Sequence, residues 1–278
     1  ANGSNPVNTT TGNKYQRELD YGGTVHGDLA FSRHYNSQQR RGQDLGPGWS
    51  HDYSSELHLV THRTGAQTAR LYRPDGRVLR FNRAAGRAEF VPISPLTVGI
   101  LRAPAGSATL EYVDGEDRVE RYDLPRTLVT ASATSRDYLL VARDDPRRGR
   151  REVLHYDARR LLLRVEGRFG RALDFEHDTR GRLVAMVDAG GHRHRYAYDS
   201  LDRLVAAIAP DDNDVATDPA SLADNPRRGY RYTDSDWPQG LTELVDESGA
   251  VYARWDYDAS GRALSSELAD GVERVTFD

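Results

Sequence analysis

His177-Asp178-Thr179-Arg180-Gly181-Arg182-Leu183-Val184-Ala185-Met186-Val187-Asp188-Ala189-Gly190-Gly191-His192-Arg193-His194-Arg195-Tyr196-Ala197-Tyr198-Asp199 holds one complete unit of an internal repeat and the start of the next. Tyr156-Asp157, His177-Asp178 and Tyr198-Asp199 stand 21 residues apart, and the residues between them align without a gap. Leu162, Leu183 and Leu204 share a column, as do Phe175 and Tyr196, Gly170 and Gly191, and Val165, Met186 and Ala207. Turn and packing positions recur together, the signature of stacked supersecondary units. Asp178 to Gly181 reads as a turn, since Asp bonds its own downstream backbone and Gly tolerates a positive φ. In the strand that follows, a period of two puts Val184 and Met186 on one face and Leu183, Ala185 and Val187 on the other. After a second turn, Asp188-Ala189-Gly190-Gly191, the residues His192, His194, Tyr196 and Tyr198 share one side of a strand and the arginines take the other. A hairpin of this size is not stable alone in water, so neighbouring units must supply the stability.

The pattern returns as Tyr257-Asp258-Ala259-Ser260-Gly261-Arg262-Ala263, after the turn Asp246-Glu247-Ser248-Gly249. Looser relatives lie upstream, in Tyr72 to Phe81 and from Tyr112-Val113-Asp114-Gly115 to Tyr122-Asp123. The expected division is residues 1–50, an irregular hairpin region at 51–150, and repeats at 151–278 with an inserted loop at 210–228. In that loop Asp218-Pro219 reads as the cap and first turn of a short helix.

Composition agrees with strands: Tyr is used 15 times against 6 Phe and 3 Trp, and suits a half-buried pleated face. With 38 basic and 42 acidic residues the net charge is −4, which argues against nucleic acid as a partner. The chain has no cysteine, which excludes disulfides, thiolate zinc sites and thiol nucleophiles. No apolar run approaches the length of a membrane span, and the start lacks the features of a signal peptide, so an export signal is expected outside this chain.

The Tyr-Asp-x-x-Gly-Arg-Leu units, as in His177 to Leu183 and Tyr257 to Ala263, resemble the repeats of the Rhs/YD-repeat family. Asn5-Pro6-Val7-Asn8, Thr11-Gly12-Asn13-Lys14, His34-Tyr35-Asn36-Ser37 and Leu45-Gly46-Pro47-Gly48-Trp49 are similar to the entry region before the repeats in bacterial Rhs proteins, and Leu241 to Glu247 with Trp255 to Asp258 is similar to a further Rhs stretch. Arg160 and Asp202 stand where the family has its turn glycine, and Ala263 where it has leucine.

The resemblance implies an all-β fold of tandem hairpins in a curved, spiralling sheet, part of a hollow shell that encloses a separate C-terminal toxic domain. Physics points the same way, since a growing sheet of twisted strands must curl, split or close, which also hides its edges. The implied partners are the toxic domain of the same polypeptide, the remaining shell repeats, and secretion-apparatus or adaptor proteins. The implied setting is secretion or injection by a bacterial secretion system, with this chain the N-terminal part of a longer polypeptide. The residues expected to matter are structural: Tyr156, Asp157, Gly170, His177, Asp178, Gly181, Arg182, Leu183, Gly191, Tyr196, Tyr198, Asp199, Leu204, Tyr257, Asp258, Gly261 and Arg262.

No catalytic residue, metal or cofactor is expected. Ser50-His51-Asp52 has the residue types of a hydrolase triad, but neighbours on one strand point to alternate sides, so His51 reads as packing between aromatics. His192 and His194 face the same way without a third ligand at suitable spacing, and Asp211, Asp212 and Asp214 miss the spacing of a calcium loop. The repeat-linked carboxylates sit where turn hydrogen bonds already explain them. Asn8-Thr9-Thr10 fits the glycosylation acceptor pattern, a match common by chance. Two other readings remain: a module binding glycans or an adhesion partner through Tyr196 and Tyr198, and a polysaccharide-active enzyme using paired carboxylates.

Overall fold

The computed structural model describes residues 7–8, 10–23, 29–39, 44–104, 107–130, 133–211, 224–268 and 271–277. The expected helix at Asp218-Pro219, together with Asp212 and Asp214, lies outside them. The described residues are all-β, with one three-residue 3₁₀ turn and no α-helix. The chain forms two units, one of Ala1–Gly23, Ala30–His51 and Leu173–Asp278, the other of Thr24–Leu29 and Asp52–Ala172.

The first unit opens with a four-stranded antiparallel sheet of β1 (Val7–Asn8), β2 (Asn13–Tyr21), β3 (Phe31–Asn36) and β4 (Trp49–His51). Every residue of β3 and β4 is buried, so these two strands have no wet face, whereas Arg17 and Leu19 of β2 are exposed.

In the second unit, β5 (Glu56–His62), β6 (Gln67–Tyr72), β7 (Val78–Arg83), β8 (Val91–Pro92), β9 (Gly99–Arg102), β10 (Leu110–Asp114), β11 (Val119–Val129) and β12 (Ala133–Asp145) are neighbours in chain order, antiparallel from β5 to β8 and from β9 to β12. The long β12 then pairs along Ala133 to Leu139 with β5, which closes these strands into a ring. Closure removes the edges that a short sheet would otherwise expose. Leu57, Leu71, Phe81, Leu101, Tyr112 and Tyr122 are among its buried residues. From the other end of β12 the array continues through β13 (Arg150–Tyr156) and β14 (Leu162–Glu166).

The repeats of the first unit are β15 (Ala172–His177), β16 (Leu183–Val187), β17 (Arg193–Tyr198), β18 (Leu204–Ile208), β19 (Arg227–Arg231), β20 (Glu243–Val245), β21 (Val251–Tyr257), β22 (Ala263–Leu268) and β23 (Val272–Thr276), each antiparallel to the next.

One expectation about these strands fails. Period two separates Leu183 from Met186, yet both are completely buried and on one face. Met186 is opposite Phe175 and Leu183 is opposite His177, because a β-bulge at Val184 shifts the register. A bulge adds one residue to one strand and reverses the alternation beyond it. The same shift separates Leu162 from Val165, Leu204 from Ala207 and Ala263 from Ser266, so the bulge is part of the repeat.

Candidate functional site

Each repeat turn is built by its aspartate. Asp178 accepts the N–H groups of Arg180 and Arg182 at 2.9 and 3.0 Å and the Arg182 Nε at 2.7 Å. Asp199 does the same for Leu201 and Arg203, and Asp258 for Ser260 and Arg262, while Asp157 takes the N–H of Leu161. The N–H of Arg262, with its guanidinium, holds the Asp258 carboxyl below its usual range. Burial pushes Asp178 and Asp199 up, but the same hydrogen bonds outweigh it. Gly181 and Gly261 have φ of 84° and 76°, and at the same turn position Arg160 and Asp202 are held at 69° and 61°. Gly170 and Gly191 occupy the second turn with φ of 72° and 88°.

The repeat tyrosine is a staple between neighbouring units. Tyr198 donates to the carbonyl of the bulge residue Leu183 at 2.7 Å, and Tyr156, Tyr232 and Tyr257 donate likewise to Leu140, Leu204 and Leu241. Arg182 and Arg203 lie over the rings of Tyr198 and Tyr232 at 4.9 and 5.0 Å. His177 takes the tyrosine's column, and its Nε2 is 3.0 Å from Asp44 instead.

The N-terminal sheet covers the repeat face that carries these tyrosines. Phe31 meets Phe175 and Tyr196, Trp49 meets Tyr230 edge-on at 4.8 Å, and the Trp49 indole donates to the Tyr232 hydroxyl at 2.9 Å. N–H groups here also find partners in this segment: the bulge residues Leu183 and Ala263 donate to the Asp44 and Gly12 carbonyls, and Leu241, just before β20, donates to the Tyr35 hydroxyl, each at 2.8 Å. A bulge leaves a ladder donor unpaired, and a buried donor needs an acceptor.

Charged residues fill the rest of this seam. Lys14, Gln16, Glu18 and Asp20 alternate along β2 and line one face. Lys14 Nζ is 2.9 Å from Gln16 Oε1 and 4.1 Å above the Trp255 ring, and Gln16 donates to Glu18, which also takes Arg228 at 2.9 Å. Asp20 receives Arg33 through two bonds of 2.7 and 2.8 Å, and the Tyr196 hydroxyl at 2.8 Å. Burial lowers Lys14 to about 7 against the opposing pull of Glu18. Burial pushes the Tyr196 hydroxyl well above the usual range, as does the charge of Asp20. A cleft of about 790 Å³ opens here, lined by Gln16, Glu18, Asp20, Arg33, His194 and Arg228 among others. Sequence reading missed this ladder, because Lys-x-Gln-x-Glu-x-Asp looks like a solvated strand face; only the buried Arg33 and the half-exposed Arg228 complete it.

The other candidates resolve into packing. His51 lies between Phe31 and Phe175 with ring centroids at 5.4 and 6.2 Å, and its Nε2 is 3.3 Å from Asp44. Ser50 Oγ lies 3.4 Å from the His34 carbonyl, and the Asp52 carbonyl accepts Arg143, so neither hydrogen bond aligns Ser50, His51 and Asp52 in series. Burial would raise Asp44, yet the electrostatic pull of His51 and hydrogen bonds from His177 and His51 hold it well below the usual carboxylate range. His192 and His194 both turn to Asp188, at 3.3 and 3.4 Å. Among the described residues no group of three or more such side chains is arranged to hold a metal ion. The Tyr196 and Tyr198 hydroxyls are engaged by Asp20 and by backbone carbonyls, so neither ring is presented as a platform for a sugar.

Comparison with known proteins bears on both parts of this seam. Residues 4–81 match the family described as Domain of unknown function (DUF6531), and residues 177–214 match the RHS Repeat model. No curated protein matches the chain. The crystal structure of TcdB2-TccC3 without its hypervariable C-terminal region aligns with 91% of the chain at 12% identity and a TM-score of 0.32. The Tc holotoxin pore of Photorhabdus luminescens aligns with 92% at 14% identity and a TM-score of 0.20. The chain spans 15% and 14% of the lengths of those two chains. The segment that matches the RHS Repeat model thus holds bulged, tyrosine-stapled turns, and the sheet of β1 to β4 that lies against the repeats falls within the segment that matches DUF6531.

Proposed function

We propose that this chain is a structural segment of a toxin shell, whose wall is the hairpin array and whose cargo is a toxic C-terminal domain of the same polypeptide. In this reading residues 1–50 are the entry region, 51–150 irregular hairpins and 151–278 repeats with an insertion at 210–228. The partners are that cargo, further shell repeats and the secretion or adaptor proteins that export the assembly from a bacterium. The chain itself does no chemistry; its turn aspartates and staple tyrosines spend their polar atoms on the wall. The observation that carries the reading is a backbone carbonyl taken by the next repeat's tyrosine, at the bulge residues Leu183 and Leu204 and at Leu241. Such a unit has its partner only in the next unit, so the array has reason to be long.

Proteinase K treatment of the full-length polypeptide tests this. The expected result is a C-terminal segment that survives while the shell is intact and is digested once the shell is unfolded by denaturant. Rapid loss of that segment from a polypeptide whose repeats stay intact would overturn the proposal.

A further inference from the structure

We propose that the outer face of the ring at β6 to β9 binds the surface of an anionic lipid bilayer. Between Val91 and Ile100 the chain exposes Val91, Ile93, Leu96, Val98 and Ile100, with Leu96 at the tip 89% exposed. Monomeric proteins rarely leave so continuous an apolar surface in water without a use for it. The tip closes on itself: Thr97 donates to the Ser94 carbonyl and the Leu96 N–H is met by the Ser94 hydroxyl. A loop entering the acyl boundary must satisfy its amides in this way.

Charge selects the occupant. Residues 90–110 contain no acidic residue. Arg63, Arg70, Arg80 and Arg87 are exposed and have no carboxylate partner among the described residues, although Arg102, Arg118 and Arg121 nearby in the chain are paired. Arg70 and Arg80 are directly opposite each other on β6 and β7, a like-charge pair that costs stability. The Ile93 N–H bonds the Arg80 carbonyl at 2.9 Å, which sets the apolar stretch beside this basic pair. An acidic protein would match the arginines but leave the aliphatic tip in water, whereas anionic lipid takes both. The proposal is independent of the shell reading.

Flotation of the chain with vesicles of phosphatidylcholine alone, and with three parts in ten phosphatidylserine, tests it. Binding is expected to the second mixture only, and to weaken as salt is raised. Leu96→Ser with Val98→Ser should abolish it, and Arg70→Gln with Arg80→Gln should reduce it by about 25-fold, from about fivefold for each arginine. These positions are exposed, so unchanged circular dichroism is expected in both variants, with melting unchanged in the first and the same or higher in the second, which loses the like-charge pair. No binding to the anionic vesicles, or binding indifferent to both pairs of changes, would overturn the proposal. So would concentration-dependent self-association lost in the Leu96→Ser, Val98→Ser variant, which would assign the surface to a second copy.

Discussion

In the unit built on β15 to β23, the stapled face of the hairpins is covered by a second sheet that brings Lys14, Glu18, Asp20 and Arg33 into the seam. In the unit built on β5 to β14, strands close on one another around Leu57, Leu71 and Phe81. Its buried ion pair is Arg73 with Glu120, where burial raises the carboxyl but Arg73 brings it down to about 2. Hairpins of one general kind thus hide a face in two ways. Closure rests on apolar side chains and one long strand with two partners, with the charges of Arg73, Glu120, Arg143 and Glu152 gathered in one cluster. Covering needs polar chemistry matched residue by residue, because the bulges leave donors that apolar contacts cannot satisfy. Buried ion pairs add little net stability, but they penalise wrong pairings, which is their best-attested use.

All three tryptophans, Trp49, Trp237 and Trp255, belong to the first unit, so their fluorescence follows that unit alone. Under urea, Arg33→Met should cost it about 3–5 kcal/mol, since Asp20 would be left buried and unpaired. A loss below about 1 kcal/mol would mean the seam is held by its aromatics. Lys14 gives the next effect, on the order of a few kcal/mol. Its folded value of about 7 lies below the ordinary 10.5, so between them the unfolded chain binds more protons and stability rises with pH. Below about 7 the cost of the buried ammonium is fully present, and Lys14→Met should remove this slope in urea midpoints taken from pH 6 to 10. An identical slope in both proteins would show that the lysine is not confined as described.

The turns give smaller effects. Gly181→Val should cost about 1–2 kcal/mol, and Gly191→Val should act alike, because a β-branched residue resists a positive φ. Unchanged melting in both would count against the repeat register. Tyr257→Phe, which removes the staple to Leu241, should cost about 1 kcal/mol by the same urea assay. Asp202→Gly should raise stability by about 0.5–1 kcal/mol, since glycine accepts the positive φ that Asp202 now bears. A loss instead would give more weight to its ion pairs with Arg180 and Arg182.

Much of the wall was legible in the chain. Asp178, Gly181 and Arg182 act within a few residues of one another, so a turn is written locally and repetition makes it conspicuous. The face of Leu183 was not legible, because a bulge depends on the partner strand and leaves no period of its own. The candidate seam was still less so. His51 could be read as packing between aromatics from its neighbours Trp49 and Tyr53, but its actual partners, Phe31, Phe175 and Asp44, are distant in sequence.

The amino-acid sequence by itself determined the repeat, its turns and the all-β class, since these follow from spacing and from the backbone preferences of single residues. Tertiary structure alone decided that β12 would close a ring with β5, and that Lys14, Glu18 and Asp20 would face inward. Both depend on partners far along the chain, and a charged strand face is buried or wet according to whether an Arg33 and an Arg228 arrive to meet it.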